Sequence, residues 1–214
     1  MLLSQKLYNN CDMRTELKEL VLGRIRDEGL ESFSCFDFTD FAPYKTISKC
    51  LERLEDEREI TRIISGIYCL SKYDMGLDVQ IYPSIDNVVH TIARKNSWII
   101  CPTGNTALNM MGLSEQVEAM YVYLTSGPYR EYEILGNKVR LKRTMSREIT
   151  GYSDKTNLLI QCLKEIGSDN VNESYLDLLS RGLTKREKKE ALEETTRIQT
   201  WIRNFIVKIC EESK

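Results

Sequence analysis

The chain lacks the residue spacings from which metal centres and disulfide frameworks are built. It has one histidine, His90, and seven cysteines, at positions 11, 35, 50, 69, 101, 162 and 210, with no CxxC pair among them. An odd cysteine count with neither zinc-ligand spacing nor a disulfide rhythm predicts reduced thiols in a cytosol. Several sit among apolar neighbours, as small core residues do. His90 has no cysteine or second histidine at ligand spacing, which predicts a structural or solvated imidazole and no metal. Long apolar runs are missing too. "WIIC" at Trp98–Cys101 is far below the roughly 20 residues that span a bilayer, and the N-terminus lacks the charged-then-apolar pattern of a signal peptide. The expectation is a soluble, cytoplasmic protein with no membrane partner.

Catalytic patterns are equally scarce. Neither GxxxxGK[ST] nor GxGxxG occurs, which argues against a nucleotide-binding loop. No paired carboxylates and no nucleophile–base set stand out, so neither enzyme activity nor a cofactor is expected. Charge of one sign is not in excess either: 30 Lys+Arg against 32 Asp+Glu give a net charge of -2. Any nucleic-acid surface must therefore be local. What remains is a globular composition, 42% hydrophobic and 29% charged over 214 residues, enough for one large domain or two modest ones.

In the N-terminal third, residues 12–28 read as an amphipathic helix. Asp12 or Thr15 is the candidate cap, Leu17, Leu20, Val21 and Ile25 form the apolar stripe, and Gly29 is the stop. Phe33 and Cys35 alternate with serines as in a short strand, and residues 37–41 suit a short helix that Pro43 closes. Residues 44–57 form the next helix, with Ile47, Cys50, Leu51 and Leu54 at i, i+3, i+4 and i+7. Its outer N-terminal half carries Lys45, Thr46, Ser48 and Lys49, followed by Arg53. Residues 60–64 alternate as a strand, Ser65-Gly66 is a tight turn, and residues 67–70 return. Helix, strand, short helix, helix and hairpin is the order of a winged helix-turn-helix, whose recognition helix puts its N-terminal half in the major groove. The DNA-binding candidates are Lys45, Thr46, Ser48, Lys49, Arg53 and, on the wing, Arg62. Residues 45–62 nevertheless hold five basic and five acidic side chains, so a protein-docking winged helix stays open. A monomer with so few cations would bind DNA weakly through phosphate contacts, which favours a homodimer on two half-sites.

The polar stretch 73–78 reads as a domain boundary, dividing a DNA-binding domain (1–74) from a second domain (79–214). Beyond it, residues 83–96 read as a helix with Ile85, Val88, Val89, Ile92 and Ala93 inward, and "SWIICP" as a short buried strand. "TGNTALNMMGLSEQ" reads as a turn and a short helix ended by Gly112, with its two methionines as core. Strands follow at 117–124, 130–135 and 138–143, with turns at 126–128 and 136–137. On the last strand Lys138, Arg140 and Lys142 share one face, and Arg143 and Arg147 extend it. This second basic surface is either a solvated strand face or a site for nucleic acid or an acidic partner. The C-terminal third is helical: 157–166, 175–179, and a stripe from Ala191 to Ile209 begun by a capping box at Thr184–Glu187. That stripe packs on the second domain, or serves dimer or partner contact.

The segment 90–144 resembles the AbiEi-type antitoxins of bacterial type IV toxin–antitoxin systems. The family pattern "IARKNGW…P.G..ALN.LGLS.Q.P…YV.L..GP.R" is matched by residues 92–96, Trp98, Pro102, Gly104, 107–109, 112–114, Gln116, Tyr121, Val122, Leu124, Gly127, Pro128 and Arg130. "ERLEDEREITRIISGIY" resembles the family's wing, "L..EG.I.R...GIY", with Arg58 where that pattern has glycine. Together the two cover about half the chain. The resemblance implies an autoregulatory repressor that binds operator DNA and counteracts a nucleotidyltransferase toxin, functionally or by contact. A repressor unrelated to a toxin is the alternative. The expected fold class is α+β: a winged helix-turn-helix, then a mixed α/β domain with a small antiparallel sheet and a helical tail.

Overall fold

The computed structural model describes residues 2–114, 116 and 119–211, with side chains from residue 15 onward. The fold is α+β, and the chain divides into two compact units, Met1–Ser97 and Trp98–Lys214.

The first unit opens with helix α1 (Leu2–Asp27). The helix is already running at Asp12 and Thr15, so neither caps it. Leu17, Val21 and Ile25 face inward as their spacing predicts. Leu22 joins them, and Leu20 points out, 52% exposed. Gly29 takes φ +62°, the left-handed step that glycine makes at low cost after a helix. Phe33 makes a single bridge to Tyr68 (N···O 2.9 and 2.8 Å) rather than a strand. A 3-10 turn follows at Cys35–Phe38, earlier than the predicted short helix, because Asp37 turns back to accept from the Ser34 N–H at 2.7 Å. Helix α2 (Tyr44–Asp56) buries Ile47, Cys50, Leu51 and Leu54, on a core shared with α1, Phe33, Phe38 and Ile60.

Strands β1 (Ile60–Ile64) and β2 (Ile67–Leu70) form an antiparallel hairpin around Ser65-Gly66, with a register shift between Arg62 and Ile64. The stretch read as a polar boundary is instead a second hairpin, β3 (Lys72–Asp74) and β4 (Val79–Ile81). Asp74 Oδ1 accepts from the N–H groups of Gly76 and Leu77 and so shapes its turn. Helix α3 (Ile85–Asn96), capped by Ser84, belongs to this first unit, so the division falls after Ser97 rather than at 74–79. Its side chains explain the placement. Thr91 and Asn87 meet Ser32 Oγ at 2.6 Å each, and Arg94 Nε pairs with Asp37 at 2.7 Å.

The second unit is built on a four-stranded sheet, order β5-β6-β8-β7, from β5 (Ile100–Pro102), β6 (Met120–Thr125), β7 (Arg130–Ile134) and β8 (Asn137–Arg143). Val117 and Glu118, predicted to start β6, lie outside the described residues. The expected antiparallel sheet is mixed: β8 lies between β7 and β6 and runs parallel to β6. The connection from Thr125 to Arg130 must therefore cross two strand spacings, roughly 10 Å. The β7–β8 turn is Leu135-Gly136, one residue earlier than predicted. Both residues have positive φ, +49° and +77°, as a type I′ turn needs.

Helix α4 (Asn105–Met110) and helices α5 (Asp154–Ile166), α6 (Glu173–Arg181), α7 (Lys185–Glu194) and α8 (Thr200–Glu211) complete the unit. Their core joins Leu159, Leu163, Leu179, Ile202, Ile206 and Ile209 with Ala107. The predicted C-terminal stripe is broken in two between Glu194 and Thr200. Thr195 Oγ1 donates to the Ala191 carbonyl at 2.5 Å, and Arg203 Nη1 donates to the Leu192 carbonyl at 2.6 Å. These bonds occupy the carbonyls at the end of α7 and close it.

Candidate nucleic-acid interface

The apolar stripe of α2 turns its opposite face outward. Lys45, Thr46 and Lys49 are exposed, and Ser48 and Arg53 are half-buried. Lys45 and Lys49 have no ion pair among the described residues. They line an open groove of ≈ 830 Å³ between α1 and α2, whose floor is Leu17, Leu20, Phe41 and Ala42. Glu16, Glu52 and Asp56 share that groove, so its field is mixed. Ser48 Oγ donates to Glu52 at 3.2 Å. Arg53 Nε donates to the Lys49 carbonyl at 3.1 Å, along its own helix.

Arg62 stands differently. Its guanidinium makes a forked pair with Glu55 (Nη2–Oε2 2.6 Å, Nε–Oε1 3.1 Å) and lies 5.2 Å from the centre of the Tyr68 ring. The hydrogen bond to Glu55 raises its pKa, and its charge is answered on the protein. A phosphate reaching Arg62 would have to displace that carboxylate. Lys95, which sequence reasoning did not single out, lies against the hairpin turn. Its Nζ is 3.5 Å from the Ser65 carbonyl, and a Cβ on Gly66 would meet that same atom at 2.6 Å. Thirty residues separate lysine and turn, so only tertiary packing joins them. Lys95 has no ion pair among the described residues, which leaves a half-buried cation at the tip of the hairpin.

The second basic surface is not of one sign. In the β7–β8 register Lys138 stands opposite Glu133 and Arg140 opposite Glu131. Arg140 Nε meets Glu131 at 2.8 Å. Hydrogen bonds from Tyr129 and Arg140 lower the Glu131 pKa. Lys142 and Arg143, at the end of β8, are exposed and have no ion pair among the described residues. Lys138 faces Glu133 without an ion pair among the described residues, so of the four cations Arg140 alone is paired directly.

The distinctive middle run points into its own unit. Gly127 lies directly under Trp98: a Cβ there would sit 2.4 Å from Cδ2 of the indole. Thr103 donates to Gln161 at 3.0 Å, Thr106 Oγ1 accepts from the Val122 N–H at 2.8 Å, and Asn109 donates to the Gln116 carbonyl at 2.9 Å. Of the adjacent methionines, Met111 is buried and Met110 is 41% exposed. His90 lies 3.7 Å from Asp86 one turn away. Among the described residues no cluster of histidine, cysteine or acidic groups could hold a metal. Burial pushes the Cys101 and Cys162 thiols up to about 12, so they are protonated core groups. No described helix is long and apolar enough to cross a membrane.

The chain belongs to a family of unknown function, DUF6088, whose profile matches residues 28–192. No curated protein matches the sequence. Among solved structures, the crystal structure of the RV2827C protein from Mycobacterium tuberculosis aligns over 90% of this chain and 75% of its own, at 11% identity and a TM-score of 0.43.

Proposed function

We propose that this member of the DUF6088 family is a cytoplasmic, non-enzymatic DNA-binding regulator whose first unit acts as a winged helix-turn-helix. The observation that carries the reading is the pair of exposed, unpaired lysines, Lys45 and Lys49, at the N-terminal half of α2. They project from a helix whose other face is locked into the core. In this reading α2 enters the major groove and the β1–β2 hairpin lies along the adjacent backbone as the wing. Because Arg62 is engaged by Glu55, Lys95 is the better-placed cation at the wing tip. Lys142 and Arg143 offer a lesser contact in the second unit.

The resemblance of residues 90–144 to AbiEi-type antitoxins extends the proposal. The protein represses its own operon and counteracts a nucleotidyltransferase toxin. The motif residues contribute by shaping the second unit, not by supplying reacting groups. A docking module is the second reading. It is favoured by the Glu55–Arg62 pair and by the acidic residues lining the α1–α2 groove.

Titration of the DNA upstream of the gene, read by fluorescence anisotropy at several salt concentrations, separates the two. Lys45→Gln with Lys49→Gln is expected to weaken binding at least tenfold and to reduce the salt slope by roughly 0.9 for each phosphate no longer neutralised. Lys95→Gln is expected to weaken binding less, with the same slope change per phosphate. No rise in anisotropy at low salt, or unchanged binding by the double variant, refutes the DNA reading. Co-expression with an adjacent nucleotidyltransferase gene tests the antitoxin role: growth that this chain does not rescue removes it.

A further inference from the structure

Two aromatic side chains stand uncovered at the N-terminal end of α2. Phe36 is 51% exposed and Tyr44 is 45% exposed, and their rings lie 5.2 Å apart, tilted by 53°. The other phenylalanines of the first unit are used inside it. Phe33 and Phe38 are fully buried, and Phe41 lies under the Arg24 guanidinium at 3.8 Å. A single exposed aromatic residue is ordinary. Two in contact, at the end of the helix that carries Lys45 and Lys49, make a small apolar platform. Its border is positive. Lys45 follows Tyr44, is exposed and has no ion pair among the described residues. Arg94 of α3 holds Asp37, the residue after Phe36, at 2.7 Å. Burial raises the pKa of Cys35, the residue before Phe36, and the nearby charge of Lys95, next on α3, works against that rise. Helix α2 has no acidic residue in its first turn and no side-chain cap, so the positive end of its dipole is unanswered. The carboxylates beside the platform are engaged, Asp37 by Arg94 and Asp40 by Arg24 at 2.6 Å. Charge complementarity therefore selects a polyanion as the occupant of this end.

We propose that Phe36 and Tyr44 form an apolar contact that reads the 5-methyl group of thymine in the major groove. The inference rests on the DNA reading of α2 and deepens it: the lysines position the helix on phosphates, and the aromatic pair specifies a base. The thymine methyl is the apolar group that base pairs present in the major groove. The N-terminal residues of a recognition helix are the ones that reach base edges, and Tyr44 is the first residue of α2. Phe36, held on the 3-10 turn before the helix, extends the apolar surface past the helix end. Burying one methyl group contributes about fourfold in affinity, at roughly 0.8 kcal/mol per carbon and 1.4 kcal/mol per factor of ten.

The test compares two synthetic duplexes of the DNA upstream of the gene, one with thymine and one with deoxyuridine at every thymine position. The second lacks only the 5-methyl groups, and its phosphates and base pairing are unchanged. In fluorescence anisotropy with the full chain, the wild type is expected to bind the thymine duplex at least about fourfold more tightly. Phe36→Ala and Tyr44→Ala, each a truncation of a half-exposed ring, are expected to keep the wild-type circular dichroism spectrum. Each is expected to bind the two duplexes alike, with the salt slope unchanged because no phosphate contact is removed. Equal wild-type affinity for the two duplexes overturns the proposal and leaves the DNA reading standing. A thymine preference retained by either folded variant places the methyl contact elsewhere, such as at Thr46, and also overturns it. Absence of binding to both duplexes at low salt removes the DNA reading and this proposal with it. The wild-type comparison needs no variant, so a variant that fails to fold does not shield the proposal.

Discussion

Arg58 sits where α2 hands over to β1, and it has φ +62°. Its N–H donates to the Glu55 carbonyl and the Glu59 N–H to the Leu54 carbonyl, both at 2.9 Å, so the backbone closes α2 as a glycine-type C-cap would. The arginine side chain is exposed and makes no ion pair among the described residues, so nothing offsets the backbone strain. A left-handed residue with a Cβ costs about 1–2 kcal/mol. Glycine removes that cost but adds roughly 0.4–1 kcal/mol of unfolded-state freedom. Arg58→Gly is therefore expected to stabilise the protein by about 0.5–1 kcal/mol, or roughly 1–4 °C if the chain melts as one transition. Arg58→Ala keeps the Cβ and the strain and is expected to give no gain. Urea unfolding followed by circular dichroism measures both. A destabilised glycine variant, or an alanine variant that gains as much, would refute the reasoning and place the value of Arg58 in its side chain.

Two other predictions rest on the second unit. Gly127→Ala drives a methyl group into the Trp98 indole, 2.4 Å from Cδ2. It should destabilise by about 1–3 kcal/mol, as overpacking does, with a change in tryptophan emission; a neutral result would mean the ring moves aside freely. The raised Cys101 and Cys162 pKa values, about 12 against an ordinary 9.0, predict a falling alkaline limb. Above pH 9 the unfolded chain loses these two protons while the folded chain keeps them. Stability should then decline up to pH 12 by roughly 1.4 kcal/mol per pH unit per thiol. Cys162→Ala should flatten the decline, and an unchanged slope in urea titrations at pH 8 to 11 would count against burial as the cause.

The first unit was largely legible in the sequence, because its signals are local. The Ile47–Cys50–Leu51–Leu54 spacing determines which face of α2 is inward and therefore that Lys45 and Lys49 are outward. Ser65-Gly66 between two alternating runs determines the first hairpin. Gly29 marks the end of α1 through its own backbone freedom. Such features depend on contacts within a few residues, and they survive without knowledge of the rest of the chain.

Tertiary structure decided what depends on which distant groups meet. The boundary moved to Ser97 because Ser32 and Asp37 reach Thr91 and Arg94 across the fold. Arg62 read as a free wing cation until packing set Glu55 beside it, while Lys95 arrived at the same turn from another helix. The basic stripe on β8 lost its single sign because β7, not solvent, lies along it. The exposed hairpin at 72–81 was read as a linker because its strands are three residues each, too short for alternation to register. Periodicity reports which side of an element is buried. It carries no record of the partner on the other side, and charge pairing, strand order and unit membership are all properties of that partner.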